Sequence, residues 1–351
     1  MANVSLPIHG RGAGGNPPNR FEPIVLERDP EATLEDEPAL TTQYFRDWTR
    51  SIIAHNDSPD VGFEYSINPY RGCEHGCIYC YARPTHEYLG LSAGLDFESR
   101  IFVKEDAPQL LRKELMARKW TPQCISISGV TDCYQPAERY FRLTRRCLEV
   151  LAEFGNPATV ITKSHLVTRD IDVLQRLAKI QGILVMLSVT TLDPEVSRTM
   201  EPRAAAPERR LNAIQQLASA GIPTGVMVAP VVPGLTDHEI PAILDACARA
   251  GAVTCGYVPL RLPFAVAPLF EQWVENCFPD RRNKILNRIR SLRGGKLNDA
   301  NFHTRMRGEG EFASQMKNMF EIARRKAGLD KPCPELSTEH FKRPGAQMAL
   351  F

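Results

Sequence analysis

The chain has 351 residues, of which 43% are hydrophobic and 24% charged, a composition that excludes global disorder and suits one large α/β domain or two smaller ones. Its formal net charge of +2 excludes a molecule whose whole surface attracts nucleic acid. The sequence holds no long apolar run, and its first residues lack the apolar core of a secretion signal. We therefore expect a cytosolic protein with no membrane span, whose ten cysteines are metal ligands, catalytic groups or buried thiols.

Part of the first 60 residues is rich in Gly, Pro and Asn. This composition predicts a partly irregular N-terminal extension. From residue 61 to residue 265, short β-branched runs alternate with segments of helical period. This alternation predicts βαβ units and a parallel sheet, either doubly wound or an incomplete (β/α) barrel. The six predicted strands are residues 62–68, 124–130, 158–163, 183–189, 224–230 and 253–259.

Residues 266–351 predict a C-terminal helical region followed by a tail. One predicted helix, residues 281–296, holds seven basic residues and no acidic one. We interpret it either as a solvated charged face or as a surface that contacts the phosphates of nucleic acid.

A cysteine motif directly follows the first predicted strand. Cys73, Cys77 and Cys80 form the pattern C-x3-C-x2-C in a loop that also contains Gly72 and Gly76. In parallel α/β folds, the carboxyl ends of the strands are where the chemistry is placed. The spacing therefore predicts that the three thiolates bind one metal centre.

Two kinds of metal centre fit this spacing. A structural zinc site takes four ligands, usually from two paired knuckles, so zinc here would need His75 or His86 as its fourth ligand. A [4Fe–4S] cluster held by three cysteines keeps one iron free of protein ligands, and that iron can bind a substrate or cofactor.

The motif, with the aromatic Tyr79 before its last cysteine, resembles the signature of the radical SAM superfamily, and the resemblance covers about residues 62–262. It implies that Cys73, Cys77 and Cys80 hold a [4Fe–4S] cluster whose fourth iron binds S-adenosylmethionine. It further implies that one electron, from a reductant such as flavodoxin or ferredoxin, yields a 5′-deoxyadenosyl radical. The implied fold is a partial (β/α)6 TIM-like barrel, which selects between the two sheet topologies.

Within the superfamily, the chain resembles the branch around spore photoproduct lyase and the uncharacterised bacterial proteins similar to it. The segments that carry this resemblance are residues 128–136, 160–170, 187–193, 200–211 and 226–237. The resemblance implies a lyase-like reaction on a damaged or modified nucleic-acid base, as in DNA repair. The alternatives are the same radical chemistry on a peptide or small metabolite, and a non-catalytic zinc-binding interaction module.

S-adenosylmethionine needs partners for its carboxylate, ammonium, ribose and adenine, and we expect them at the strand ends. Asp132 is a candidate acceptor for the ammonium, with a turn-capping role as the alternative. Lys163 and Ser188 match family positions and are candidates for the carboxylate, or for the ribose in the case of Ser188. The full predicted set is Tyr79, Thr131, Asp132, Lys163, Ser188, Arg203 and Ala229.

The loop after the second strand also contains candidate catalytic residues. The resemblance implies that a cysteine in this loop donates a hydrogen atom, but this chain has Gly129 at that position. Cys133 instead follows Asp132. We predict Cys133 or Tyr134 as the group that quenches a product radical, with a buried structural thiol as the alternative reading of Cys133.

The last five residues, Gln347 to Phe351, read QMALF and resemble the peptide by which bacterial replication and repair proteins bind the sliding clamp. Two apolar anchors in a tail suit insertion into a groove. The sequence therefore predicts nucleic acid and the sliding clamp as partners, and no membrane.

Overall fold

The computed structural model describes residues 8, 10–22 and 40–345. These residues form two sheets, one of seven strands and one of three. The strands are β1 (Gln43–Arg46), β2 (Ile53–His55), β3 (Tyr65–Ile67), β4 (Tyr70–Arg71), β5 (Arg100–Val103), β6 (Ile125–Ile127), β7 (Ala158–Thr162), β8 (Ile183–Ser188), β9 (Thr224–Val231) and β10 (Thr254–Pro259).

The larger sheet contains six parallel strands in the order β10-β9-β8-β7-β6-β3, with β2 antiparallel at one edge. Each of the six predicted strands is confirmed, although β3 and β6 are only three residues long. Since the described strands leave β10 and β2 as free edges, the sheet does not close. It is a mixed α/β fold built on a parallel sheet, the arrangement expected of a partial (β/α)6 barrel.

Helices connect successive parallel strands and cover the sheet. The α-helices are α1 (Leu95–Ser99), α2 (Ala107–Met116), α3 (Glu138–Phe141), α4 (Leu143–Phe154), α5 (Ile171–Ala178), α6 (Pro194–Met200), α7 (Pro207–Ser219), α8 (Ile240–Arg249), α9 (Val266–Cys277), α10 (Arg282–Ser291), α11 (Thr304–Arg307) and α12 (Gly310–Lys326). Four short 3-10 helices lie at Arg83–Leu89, His165–Asp170, Asp237–Glu239 and Pro279–Arg281. No helix in the described ranges is long and apolar enough to cross a membrane.

Helix α4 shows how the sequence produces these elements. Its buried stripe includes Cys147, Leu148 and Leu151, which recur at helical spacing and join the main hydrophobic core. The helix ends at Gly155, which has a φ of +65° and donates its N–H to the carbonyl of Leu151. A side chain at Gly155 would also collide with the backbone of His340, so the C-terminal segment packs closely against this end.

The two terminal regions are only partly as predicted. The N-terminal extension contributes β2 to the large sheet and β1 to the small sheet, whose order is β1-β5-β4. The C-terminal region contains the helices α9 to α12, but the basic helix is shorter than predicted and ends at Ser291. Gly294 and Gly295 follow with positive φ values, a conformation that cannot continue a right-handed helix.

Candidate functional site

The cysteine loop follows β3 and the short β4 and is tied to neighbouring segments by its backbone. The N–H of Cys73 donates to the carbonyl of Phe97 at 2.9 Å, and the N–H of Ile78 donates to the carbonyl of Met200 at 3.1 Å. Gly72 has a φ of +77°, so this turn favours glycine. The loop is therefore held between α1 and α6.

The three thiols of the loop share a desolvated environment. Burial raises the pKa of Cys73, Cys77 and Cys80, to about 12 for Cys77. After burial, the negative charge of Asp132 and the other two thiols further raise the pKa of Cys73. Such thiols ionise together only when a cationic group binds them, so the site suits a metal centre.

The donor set fits a cluster better than a single zinc ion. Among the described residues, no three His, Cys, Asp or Glu side chains are arranged to hold one metal ion. His75 Nδ1 lies 3.3 Å from Asp132 Oδ2, and His86 Nε2 lies 3.0 Å from the carbonyl oxygen of Arg100. Each imidazole therefore has one of its two ring nitrogens engaged within the protein. Three thiols spread around a [4Fe–4S] cluster need no such fourth ligand.

Arg83 holds the cysteine loop in place through buried hydrogen bonds, and the sequence alone did not indicate this role. Its side chain is fully buried, and its guanidinium donates to the carbonyls of Cys77 at 3.0 Å and Gly76 at 3.1 Å. It also donates to Glu98 at 2.5 Å and to the carbonyls of Ala93 and Gly94. All five N–H groups are therefore used, and the planar guanidinium fixes the loop carbonyls relative to α1.

The N-terminal segment packs on the same assembly through Glu98. The backbone N–H groups of Gly12 and Ala13 donate to the Glu98 carboxylate at 2.9 and 2.8 Å. Arg11 donates to the carbonyl of Glu98 at 2.8 Å. Glu98 thus joins the N-terminal segment and the cysteine loop, by way of its ion pair with Arg83.

Asp132 is a predicted ligand of the ammonium group, but both of its carboxylate oxygens already contact donor groups within the protein. One carboxylate oxygen accepts from the N–H of Tyr134 at 2.8 Å and the hydroxyl of Thr162 at 2.7 Å. The other accepts from the N–H of Lys163 at 2.8 Å and pairs with His75. Burial would raise the pKa of Asp132, but His75 and these donors lower it to about 2. This geometry favours the turn-capping alternative, in which Asp132 joins two strand ends to the cysteine loop.

Two more predicted cofactor ligands also contact protein groups. The Thr131 hydroxyl donates to the carbonyl of Tyr70 at 2.8 Å. Arg203 donates to Glu74 at 3.1 Å and to Thr42 at 3.2 Å, and its side chain remains 31% exposed. The roles of Thr131 and Arg203 in cofactor binding stay predictions. Of the two, Arg203 has the side chain that is partly exposed to solvent.

Lys163, Tyr79 and Ala229 come together beside the cysteines. The Lys163 ammonium lies 5.7 Å from the centre of the Tyr79 ring and donates to the carbonyl of Ala229 at 3.4 Å. Lys163 is also close enough to Cys77 for its charge to lower the pKa of that thiol, against the larger effect of burial. The structure therefore brings together three of the predicted residues from three separate segments.

A buried network, missed by sequence reasoning, fixes Tyr79. Its hydroxyl donates to Glu201, which also pairs with Arg210. Arg210 in turn donates to the carbonyl of Ser188 at 3.1 Å, so the network links the cysteine loop to the end of β8. Glu201 and Arg210 lie in the segment at residues 200–211, which carries part of the family resemblance. Burial would raise the pKa of Glu201, but Arg210 and Lys163 hold it below its usual value.

The two predicted radical-quenching residues lie inside the protein. Cys133 is 0% exposed and belongs to the main core, and burial raises its pKa. The Tyr134 hydroxyl is buried and donates to Asp170 at 3.1 Å. This burial favours the structural reading of Cys133. Tyr81, which follows the last cysteine and was not singled out, is 50% exposed and donates to the carbonyl of Gly129 at 2.9 Å.

The basic helix α10 is partly neutralised by neighbouring acids. Arg282 pairs with Glu275, and Arg290 lies 3.6 Å from Glu271. Lys284 and Arg288 are exposed and remain available for a phosphate. The tail predicted to bind the sliding clamp, residues 347–351, lies outside the described residues.

Comparisons with known proteins identify the family of this chain. The family model described as the radical SAM superfamily matches residues 67–247, more than half of the chain. An uncharacterised protein of Mycobacterium tuberculosis is 35% identical over 232 residues, covering 66% of this chain and 67% of that protein. Spore photoproduct lyase of Bacillus subtilis is 27% identical over 182 residues, covering 50% of this chain and 48% of the lyase.

The fold is also similar to solved structures of spore photoproduct lyase. A variant of that lyase with bound AdoMet and dinucleoside spore photoproduct superposes with a TM-score of 0.59 at 18% identity, covering 81% of this chain and 78% of the lyase. The chain therefore belongs to the radical SAM superfamily, whose members use a [4Fe–4S] cluster and S-adenosylmethionine.

Proposed function

We propose that this protein is a radical SAM enzyme that abstracts a hydrogen atom from a damaged or modified base of a nucleic acid. The observation that carries the substrate class is the fold shared with spore photoproduct lyase, which was solved with a dinucleoside photoproduct bound. The convergence of Lys163, Tyr79 and Ala229 beside the buried thiols of Cys73 and Cys77 and the partly buried thiol of Cys80 supports the reaction class.

In this proposal, the residues of the chain bind, orient and exclude water. Cys73, Cys77 and Cys80 hold the cluster, which with S-adenosylmethionine supplies a 5′-deoxyadenosyl radical. Lys163 offers a positive charge for the cofactor carboxylate, and Tyr79 offers a ring for its adenine. Since these groups come from different strand ends and are fixed by buried hydrogen bonds, the site is organised before the cofactor binds.

One departure separates the proposed reaction from that of the lyase. Gly129 occupies the position where the lyase family has its hydrogen-donating cysteine, and Cys133 lies in the core. We therefore propose a different route for quenching the product radical. The same departure favours, as a second candidate, radical chemistry on a peptide or small metabolite.

The proposed partners follow from the reaction and the sequence. A flavodoxin or ferredoxin would supply the electron, and the sliding clamp would bind residues 347–351. The full chain should pull down the sliding clamp, and deletion of residues 347–351 should abolish this pull-down. If the truncated chain still pulls down the clamp, the proposed clamp interaction is contradicted.

The substrate class is tested by measuring 5′-deoxyadenosine release from the reconstituted enzyme. Release should rise when ultraviolet-damaged or base-modified oligonucleotides are added, and mass spectrometry should detect an altered base. A Cys80→Ala variant is the control that removes the cluster. Stimulation by peptides or metabolites, without any effect of oligonucleotides, would overturn the nucleic-acid proposal and leave the second candidate.

A further inference from the structure

A cavity of about 290 Å³ opens beside the cysteine loop, next to the predicted cofactor site. Its lining does not include the three motif cysteines, Tyr79, Lys163 or Ser188, but it shares Arg203 with the predicted cofactor-binding residues and Tyr134 with the predicted radical-quenching residues. The polar groups that line it include Arg139, Arg203, Arg209, His75, His165 and Ser164, and the described residues contribute no carboxylate to the lining.

The arginines of this cavity have unused donor groups. Among the described residues, Arg139 and Arg209 form no ion pair, and both are exposed. The guanidinium of Arg209 instead lies 3.4 Å from Nδ1 of His165. Arg203 has one carboxylate partner, Glu74. Three guanidinium groups around one space repel one another unless an anion lies between them, so the cavity suits an anionic ligand.

The start of helix α7 adds backbone donors to the same cavity. Ala204, Ala205 and Ala206 line it, and Ala206 is the N-cap residue, which has no side chain to cap the helix. The helix is 13 residues long and begins with Pro207, which has no N–H, so the backbone donors at its start are the N–H groups of Glu208 and Arg209. These two groups and the helix dipole favour an anion here, although the exposed carboxylate of Glu208 lies in the same first turn. Arginines and a helix N-terminus together are typical of phosphate binding.

An exposed aromatic surface adjoins the arginines. Tyr140, next to Arg139 in the chain, is 75% exposed, and its ring centre lies 6.5 Å from that of Tyr44. The Tyr44 hydroxyl donates at 3.2 Å to Glu74, the residue that pairs with Arg203. Exposed rings beside a cationic groove are the features by which proteins hold the bases of a single strand.

We propose that the cavity binds a backbone phosphate of the nucleic-acid strand whose base is modified, and that Tyr140 stacks on a flanking base. An enzyme that acts on a base must unstack it, so a phosphate site and an aromatic surface beside the reaction site hold the strand in that state. This inference rests on the proposed function and specifies how the strand is held.

The test is binding of a fluorescent single-stranded oligonucleotide to the reconstituted protein at several salt concentrations. A double variant, Arg139→Gln with Arg209→Gln, should weaken binding at least tenfold. It should also reduce the slope of log K against log salt by about 0.7, since one phosphate contact on a single strand contributes about that much. Tyr140→Ala should weaken binding with little change in slope.

The matched control is a double variant of the basic helix, Lys284→Gln with Arg288→Gln, which also removes two exposed cations. We expect it to bind the oligonucleotide as the wild type does. Unchanged binding by the cavity variant, or loss in the helix variant alone, overturns the proposal. The cavity variant should retain its iron and its S-adenosylmethionine-dependent spectral change, so that loss of binding is not a loss of fold.

Calorimetry with inorganic phosphate separates this proposal from the function it rests on. If the wild type binds phosphate through Arg139 and Arg209 but never binds an oligonucleotide, then the anion site is confirmed. In that case the nucleic-acid function is overturned, and so is the role of the cavity in holding a strand. If the wild type binds neither, the anion site itself is overturned.

Discussion

Gly12 lies so close to Gly76 that a Cβ atom built on Gly12 would stand 1.8 Å from the Gly76 carbonyl oxygen. This contact joins a residue near the N-terminus to the centre of the cysteine motif. The same segment donates two backbone hydrogen bonds to Glu98, which pairs with Arg83 beneath the loop. The N-terminal segment is therefore part of the wall of the predicted cluster site.

Gly12→Ala should displace this segment, because the clash is with backbone that cannot rotate away. We expect a loss of about 1–3 kcal/mol in the free energy of unfolding and less iron retained after reconstitution. Gly62→Ala is the control, since a Cβ there has nothing within 4 Å. Denaturant unfolding and iron analysis measure both effects, and equal results for the two variants would contradict the contact.

Glu98→Gln should destabilise the loop by leaving the Arg83 charge buried without its partner. Neither side chain of this pair is exposed, so the expected loss is about 3 kcal/mol. Glu153→Gln breaks a pair with Arg112 in which the side chains are 39% and 45% exposed, and should cost less than about 1 kcal/mol. Similar unfolding midpoints for the two variants would show that the buried pair does not brace the loop.

Glu201→Gln should loosen the packing of Tyr79, because the neutral amide loses the ion pair with Arg210 and only its carbonyl oxygen can still accept the Tyr79 hydroxyl. We expect affinity for S-adenosylmethionine to fall about tenfold, about 1.4 kcal/mol of binding free energy. Tyr79→Phe keeps the ring beside Lys163 and should lose less. Equilibrium dialysis measures both, and full affinity in Glu201→Gln would mean that the network only supports the fold.

Cys133→Ala tests the predicted hydrogen donor against the structural alternative. Since Cys133 is buried in the core, we expect the variant to keep its rate of product formation and to lose only some stability. Cys147→Ala, at an equally buried position of the same core, provides the matched comparison. A product yield that falls for Cys133→Ala but not for Cys147→Ala would restore Cys133 to the mechanism.

The parallel sheet and the cysteine motif were predictable because both rest on local patterns. The run at residues 183–189 is nearly all apolar, as expected of a strand buried on both faces, and the structure forms β8 there. The C-x3-C-x2-C spacing likewise depends only on neighbouring residues.

The groups that hold the site in place were not predictable because their contacts are long-range. Tyr79 and Glu201 are 122 residues apart, and Gly12 and Glu98 are 86 residues apart. No periodicity links such positions in a single sequence. Asp132 was predicted at the site. Its carboxylate contacts four protein groups, and two of these contacts, with Thr162 and Lys163, depend on the packing of β6 against β7.

We expect Cys73, Cys77 and Cys80 to hold a cluster that binds S-adenosylmethionine beside Lys163 and Tyr79. The most direct test is anaerobic reconstitution followed by EPR of the reduced protein, with and without S-adenosylmethionine. We predict a [4Fe–4S]⁺ signal that shifts when the cofactor is added, with release of 5′-deoxyadenosine. A colourless zinc protein, or a cluster whose signal does not respond to the cofactor, would contradict it.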